Sequence, residues 1–308
     1  MKELSIISRN IVDVMQEKKL LVTGVSGQLG GSIQGLLNED VCSGWIALFP
    51  DRTEMDLTDE QMVRQYIQTH QPTVFLHAAA YTNVEGAEDD KDLAFLVNGE
   101  ATAWIAEECN KIGCRLIYIS TDYVFDGEKG APYSPKDLVN PINVYGYSKL
   151  MGEQNALRLN PKTTVVRVSW LYSTIGKNFF KTMLSLASIR NELNVVDDQY
   201  GAPTYAKALA RDLMGMMEYL NEKLEEGPRI LHYSPMGQTT WNGFAKAIVS
   251  EFYPNVKVNA VDSGAFPQKA KRPAYSKMSS DAWEQATGII PQTWEEQLNE
   301  CIIDWKRI

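Results

Sequence analysis

Leu20-Leu21-Val22-Thr23-Gly24-Val25-Ser26-Gly27-Gln28-Leu29-Gly30-Gly31 is the stretch that decides the fold class. A buried strand, Leu20–Thr23, runs into a turn with glycines spaced G-x-x-G-x-x-G, and a helix towards Leu37 follows. Each glycine has its own steric reason. Gly24 permits the tight turn, Gly27 lets the backbone approach a pyrophosphate, and Gly30 lets the helix pack close to the strand. The helix N-terminus adds N–H groups and the positive end of a dipole. Glycine-rich turns often do nothing but turn. Here the strand before and the helix after supply the setting of a dinucleotide-binding loop.

Outward from this loop, strand-like and helical runs alternate. Trp45–Phe49 reads as a strand, and Thr58 with Gln61 as a capping box opening a helix from Asp59 to about Gln68. Thr73–His77 is a strand. A long helix is expected from about Leu93 to Ile112, with Gly113 as its left-handed cap. Arg115–Ser120, a helix over Tyr145–Leu157 and the strand Thr164–Val168 continue the alternation. The pattern predicts an α/β fold, a Rossmann-type doubly wound parallel sheet, with ligands beyond the strand C-termini. The second half is less regular. Helices are expected at Asn178–Arg190, Tyr205–Leu220 and Asn242–Glu251, and a capping box of Thr293 and Glu296 opens the last one. Short strands (Ile230–Tyr233, Val256–Val261) and the Pro/Lys-rich loop Phe266–Pro273 complete a smaller C-terminal substrate-binding lobe. The expected division is an N-terminal extension over 1–18, a dinucleotide-binding domain over 19–169, and a lobe over 170–308 whose chain crosses back to the sheet around 195–220. In the extension, Ile7, Ile11 and Met15 fall four apart, as on one short amphipathic helix.

The 308 residues suffice for a full core, and the formal charge of -9 argues against nucleic acid or an anionic membrane as partner. No apolar run is long enough to span a bilayer, and the N-terminus lacks the apolar core of a signal peptide. Four cysteines without CxxC spacing and three scattered histidines fit reduced thiols and no metal site, in a cytoplasmic protein.

The strand ends carry the chemistry. After the second strand stand Asp51 and Arg52. A carboxylate there binds ribose hydroxyls and disfavours a 2′-phosphate, an arginine attracts one, and a solvated turn does neither. NADPH and NADH both remain open. The small-residue run His77-Ala78-Ala79-Ala80-Tyr81 suits a flat ligand against the backbone, or close helix packing. Ser120-Thr121-Asp122-Tyr123 ends the next strand, and Tyr145 and Lys149 lie four apart on one helix face. A lysine ammonium would lower the tyrosine pKa, so that Tyr145 donates a proton to a carbonyl oxygen that Thr121 holds. Y-x-x-x-K also arises by chance as a surface pair, and only the glycine loop and the chain order give it weight.

With these motifs the sequence resembles the extended short-chain dehydrogenase/reductase family. Further segments are Ala78-Ala79-Ala80-Tyr81-Thr82, Ser120–Gly127, Asn143-Val144-Tyr145-Gly146, Arg167-Val168-Ser169-Trp170, Asp197–Thr204 and Lys271-Arg272-Pro273. They narrow the similarity to the reductases of dTDP-4-dehydrorhamnose, from about Lys19 onward. The resemblance implies NAD(P)H-dependent reduction of the 4-keto group of that sugar nucleotide, by a monomer or homodimer. It implies that Gln28 and Leu29 meet the pyrophosphate, that Asp56 and Leu57 lie at the adenine, and that Ala79, Ala80 and Tyr81 line the nicotinamide side. Asn98 also falls among the implied cofactor residues. Tyr145 would be the proton donor, and Lys149 would bind the nicotinamide ribose. Thr121, Asp122, Trp170, Gln199 and Arg272 would hold the substrate, with Arg272 at its diphosphate or thymidine end. Glu85 stands where that family commonly has Asp. Two other functions share the same fold. One is a silent dinucleotide-binding subunit like the regulatory subunit of methionine adenosyltransferase. The other is a reductase or epimerase of another nucleotide sugar.

Overall fold

The computed structural model describes residues 18–38, 44–222 and 229–308. The expected N-terminal helix and Cys42 lie outside them. Five strands come from the first half: β1 (Lys18–Thr23), β2 (Trp45–Leu48), β3 (Val74–His77), β4 (Arg115–Thr121) and β5 (Thr163–Val168). Six short strands follow in pairs: β6 (Leu171–Tyr172) with β9 (Thr204–Tyr205), β7 (Glu192–Val196) with β12 (Lys257–Val261), and β8 (Tyr200–Gly201) with β11 (Thr239–Thr240). The remaining strand, β10 (Ile230–Tyr233), returns to the main sheet, whose order is β10-β5-β4-β3-β1-β2. All five of its pairings are parallel.

The strand sequences explain the layers. Leu20 and Val22 point to one face of the sheet, beneath the helix Gln28–Asn38 (Ile33, Leu36) and the helix Ala206–Glu222 (Leu209, Leu213). Leu21 points to the other, with Phe75, Leu116 and Tyr118, under Val63, Ile67 and Ile105. Neighbours alternate because the strand period is two, and both sets are apolar because helices cover both faces. A second core, with Tyr172, Phe180, Leu193, Phe244, Ile248 and Leu298, sits among the later elements. Residues 206–222 and 230–233 thus pack with the main sheet although they follow Trp170 in the chain.

Three expectations need correction. The helix Glu60–His70 is capped by Asp59, whose carboxylate accepts from the Met62 N–H, and not by a box of Thr58 and Gln61. The Thr58 hydroxyl is engaged elsewhere, donating to Asp56 Oδ1 at 2.8 Å. The single long helix to Ile112 is broken into Lys91–Phe95, a π-helical turn Leu96–Glu100, and Ala101–Lys111. The neighbouring helix Val144–Leu159 presses on this turn. A Cβ on Gly99 would stand 2.7 Å from Met151 Sδ, and one on Gly152 would stand 2.8 Å from Tyr118 Cζ. The expected helix to Arg190 ends at Ala187, because residues 192–196 pair as β7 with β12.

One buried ion pair ties the helix Val144–Leu159 to the sheet. Arg167 on β5 grips Glu153 with two nearly parallel hydrogen bonds, 2.9 and 2.7 Å, and both side chains are 2% exposed. Phe125 lies against the guanidinium, 5.1 Å from its ring centroid, and burial pushes the adjoining His232 down to about 3. Leaving one member of such a pair alone is costly, whereas replacing both by apolar groups is nearly neutral. Glu153→Leu should therefore lower unfolding free energy by about 3–5 kcal/mol in urea titrations. The double variant Glu153→Leu/Arg167→Met should recover most of that loss, and no recovery would mean that the pair is not the source.

Candidate active site

The sheet order reverses direction in sequence at β1 and β3, and there the cleft opens. Gly24 follows β1 at φ 77°, a conformation that suits glycine. A Cβ on it would lie 2.9 Å from the Ala79 backbone, and one on Gly30 would lie 2.6 Å from the Gly24 carbonyl carbon. Strand, loop and helix thus approach to a distance that side chains forbid. Thr23 Oγ1 meets His77 Nδ1 at 2.8 Å and accepts from the Ala79 N–H at 3.3 Å, fixing the two strand ends together.

Two cavities share the wall made by Gly24, Ser26, Ala79 and Ala80. The first, about 340 Å³, is lined by Asp51, Arg52, Asp56, Leu57 and Tyr81. Asp51 is committed to its own turn: its Oδ1 accepts from the Thr53 N–H (2.7 Å), the Thr53 hydroxyl (2.6 Å) and the Glu54 N–H (3.1 Å). Thr53's hydroxyl and N–H hold its pKa below the ordinary value. Arg52 is solvent-facing and pairs with Asp56 at 3.0 Å. Of the two residues left open by the sequence, Asp51 is held by its own turn and Arg52 by a single exposed ion pair.

The second cavity, about 550 Å³, is lined by the rest of the loop (Gly27, Gln28, Leu29, Gly30) and by Thr121, Asp122, Tyr145, Lys149 and Trp170. Parallel register brings them to one edge, since Thr121 ends β4 opposite Val168 of β5. Asn143 caps the helix that carries Tyr145 and Lys149, accepting from the Gly146 N–H at 2.8 Å. The Thr121 hydroxyl donates to Asp122 Oδ1 at 3.1 Å and accepts from the Tyr123 N–H at 3.2 Å, on the same cavity wall as Tyr145.

The expected electrostatics are reversed. Lys149 does not depress the Tyr145 pKa. Burial at the bottom of the cleft pushes the phenol up to about 12, with Thr121 opposing the shift and Asp122 adding to it. Lys149 is 2% exposed, and burial pulls its amine down to about 7 against the pull of Glu153. Its Nζ donates to the Ile119 carbonyl at 2.7 Å and lies 4.0 Å from the centre of the Tyr118 ring. Low dielectric penalises each charged form more than a distant partner repays. A tyrosine kept neutral in this way is a proton donor in its resting state.

Asn98 is not on either cavity wall. It is buried, its amide oxygen accepting from the Tyr81 N–H (2.8 Å) and its amide nitrogen donating to the Tyr81 carbonyl (3.1 Å) and Ser148 Oγ (2.9 Å). Its amide holds the Tyr81 backbone in place. Gln199 and Arg272 line a neighbouring cavity of about 350 Å³. Arg272 pairs there with Glu85 at 2.8 Å, and Gln199 donates to Ser263 Oγ at 2.9 Å. The wall between the two cavities is Trp241, which sequence reasoning passed over as the start of a helix. It stacks on Trp170, centroids 3.7 Å apart at 9°. Trp170 itself adopts φ 49°, unusual for a bulky residue and a local strain of about 1–3 kcal/mol. Lys177 was missed too. It lines the second cavity beside Gln28, after Gly176, in a loop without a motif.

Comparison with known proteins agrees along nearly the whole chain. A family model described as the RmlD substrate binding domain matches residues 18–307. The dTDP-4-dehydrorhamnose reductase of Aggregatibacter actinomycetemcomitans is 39% identical over 288 residues, covering 91% of this chain and 97% of the relative. The spore coat polysaccharide biosynthesis protein SpsK of Bacillus subtilis is 38% identical over 285 residues, 92% of this chain and 96% of that one. Among solved structures, the dTDP-4-dehydrorhamnose reductase of Bacillus anthracis in complex with NADP is 36% identical, with TM-score 0.85, covering 94% of this chain and 100% of that chain.

The Asn98 contacts generate a prediction. Asn98→Ala should destabilise the fold by about 2–4 kcal/mol, because it leaves the Tyr81 N–H and carbonyl without their side-chain partner and removes one of the two bonds of Ser148 Oγ. Thermal unfolding of the purified variant checks this, and an unchanged Tm would show that water replaces the amide.

Proposed function

The chain belongs to the RmlD substrate binding domain family, and on that premise we infer that it catalyses the NADPH-dependent reduction of dTDP-4-dehydrorhamnose to dTDP-rhamnose. The observation that carries this reading is the meeting of Tyr145, Thr121 and Lys149 with the Gly24–Gly30 loop in one cleft. A catalytically silent subunit has no need of such a trio.

The residues present fit a nicotinamide dinucleotide. Gly24, Gly27 and Gly30 clear the backbone for a pyrophosphate at the start of the helix, with Gln28 and Leu29 beside it. Asp56 and Leu57 flank the adenine side. Arg52 gives a 2′-phosphate a cation, which accounts for NADPH, while Asp51 is held by its turn. Ala79, Ala80 and Tyr81 line the nicotinamide side, and Lys149 serves its ribose. When bound, the cofactor supplies a hydride to the sugar's C4.

The chain does the rest. Tyr145 gives its phenolic proton to the oxygen at C4 as that oxygen gains charge, and Thr121 fixes the same oxygen by a hydrogen bond. Asp122 and Trp170 border the sugar. Gln199 and Arg272, across Trp241, take the diphosphate and thymidine end, where a guanidinium suits paired phosphate oxygens. In this division residues 19–169 hold the dinucleotide. Residues 170–308 mainly hold the sugar nucleotide, apart from the segments that return to the sheet. We place the enzyme in the cytoplasm, as a monomer or homodimer. The buried free thiols Cys109, Cys114 and Cys301 suit a reducing compartment.

The test is to supply the purified protein with dTDP-4-dehydrorhamnose and follow NADPH and NADH oxidation. Tight cofactor binding without turnover would sink the reductase reading. Tyr145→Phe should lower kcat by about 10²–10⁴-fold, as for loss of a positioned acid. Near-normal turnover would mean that the proton comes from elsewhere. Arg52→Ala should reduce the preference for NADPH over NADH by about 10- to 100-fold, the worth of one charge-assisted contact. An equal effect on both cofactors would place the arginine away from the 2′-phosphate.

A further inference from the structure

We propose that Lys177 binds the diphosphate of the sugar nucleotide where it passes from the catalytic cavity into the neighbouring one. This rests on the reductase reading above and adds to it a residue that no motif marked.

Position is the first ground. Lys177 lies on the wall of the cavity that holds Tyr145, with Gln28 and Trp241. Two residues on, Phe179 starts the helix Phe179–Ala187 and lines the other cavity with Gln199 and Arg272. The rings of Phe179 and Trp241 meet with centroids 4.6 Å apart. Residues 177–179 and Trp241 therefore mark the border between the two cavities. A sugar nucleotide with its sugar at Tyr145 and its base beside Gln199 has its diphosphate at that border, because the diphosphate is the link between sugar and nucleoside.

The charges on the catalytic wall are the second ground. Lys177 is exposed and forms no ion pair among the described residues. The other amine there, Lys149, is buried and donates to the Ile119 carbonyl. The carboxyl there, Asp122, is 2% exposed, and burial pushes it towards its neutral acid. Lys177 is thus an uncommitted cation on a wall with no ionised carboxylate to answer it. The same wall carries Ser120 Oγ and Asp122 Oδ2, both enclosed and without a hydrogen-bond partner. Buried polar atoms of this kind are satisfied in a functioning site by a polar ligand or water.

The loop is built to hold the lysine in place without using its charge. Asn178 Oδ1 accepts from the Lys181 N–H at 3.1 Å, and its Nδ2 donates to the carbonyls of Ser173 and Ile175 at 2.7 and 3.1 Å. Ile175 rests on Gly31, where a Cβ would stand 3.3 Å from the isoleucine Cδ1. Gly176 turns the chain at φ 68°. A lysine just before a helix start is disfavoured by the positive end of the dipole, and an anion between them satisfies both.

NADPH carries a diphosphate as well, so the test has one arm for each ligand. Lys177→Gln keeps the length of the side chain and removes its charge. Calorimetry on the full chain should show dTDP binding weakened about tenfold in the variant, with the Kd for NADPH within about twofold of the unaltered value. Lys177→Arg should regain most of the dTDP affinity. Added salt should weaken dTDP binding to the unaltered chain more than to Lys177→Gln, because an exposed charge contact is screened. Unchanged dTDP affinity in Lys177→Gln would overturn the proposal. Weaker NADPH binding with dTDP unaffected would also overturn it, assigning the lysine to the cofactor. Equal losses for both ligands, or no recovery in Lys177→Arg, would overturn it by showing that the loop and not the charge matters. If the unaltered chain binds NADPH but no dTDP, the reading of the substrate itself fails, and the proposal falls with it.

Discussion

Backbone-to-backbone approach at the crossing of β1 and β3 is the constraint on which the rest depends. Gly24 faces Ala79, and Gly30 faces the carbonyl of Gly24, at distances that no Cβ tolerates. The contact draws the first helix onto the sheet, and its N-terminal N–H groups then face the cleft. The hydrogen bonds of Thr23 with His77 and Ala79 hold the two strand ends level. From that edge, parallel register carries the alignment outward to Thr121 on β4 and to the end of β5 before Trp170. Residues distant in sequence reach one cleft because every strand of the sheet points the same way.

Below that edge the site is a buried polar layer, and its charges divide into two kinds. Arg167 and Glu153 satisfy each other with two hydrogen bonds. Lys149, Asp122 and His77 have no such match, and burial drives each towards its neutral form. The result is a cleft in which a carboxyl and an amine titrate near neutral pH beside a phenol kept protonated. The same helix contributes Tyr145, Lys149 and Glu153, and its Gly152 admits the turn that holds Asn98. Catalytic geometry and core packing therefore share one element.

Much of the fold was legible because it rests on local rules. Alternating apolar runs marked the strands of the main sheet, and the capping box of Thr293 and Glu296 is formed as the spacing implied. Errors arose where a tertiary contact overrode a local preference. Thr58 looked like a cap, yet Asp59 outcompetes it while Asp56 takes its hydroxyl. The helix through Asn98 looked continuous, yet packing against Met151 and Tyr118 forces a π turn. In the site, the trio Thr121, Tyr145 and Lys149 could be named from order and spacing. Trp241 and Lys177 could not, because one begins an ordinary amphipathic helix and the other sits in a loop without a signature.

By itself, the sequence determined the alternation of strands and helices, the glycine loop, and which residue types stand at the strand ends. These follow from periodicity and sterics within a few residues of chain. Only the tertiary structure decided that Asp51 is held by its own turn while Arg52 pairs with Asp56, that Asn98 hydrogen-bonds the Tyr81 backbone, and that burial shifts Tyr145 and Lys149 towards neutrality. Those outcomes depend on desolvation and on hydrogen-bond partners drawn from distant segments, and neither can be read from spacing along the chain.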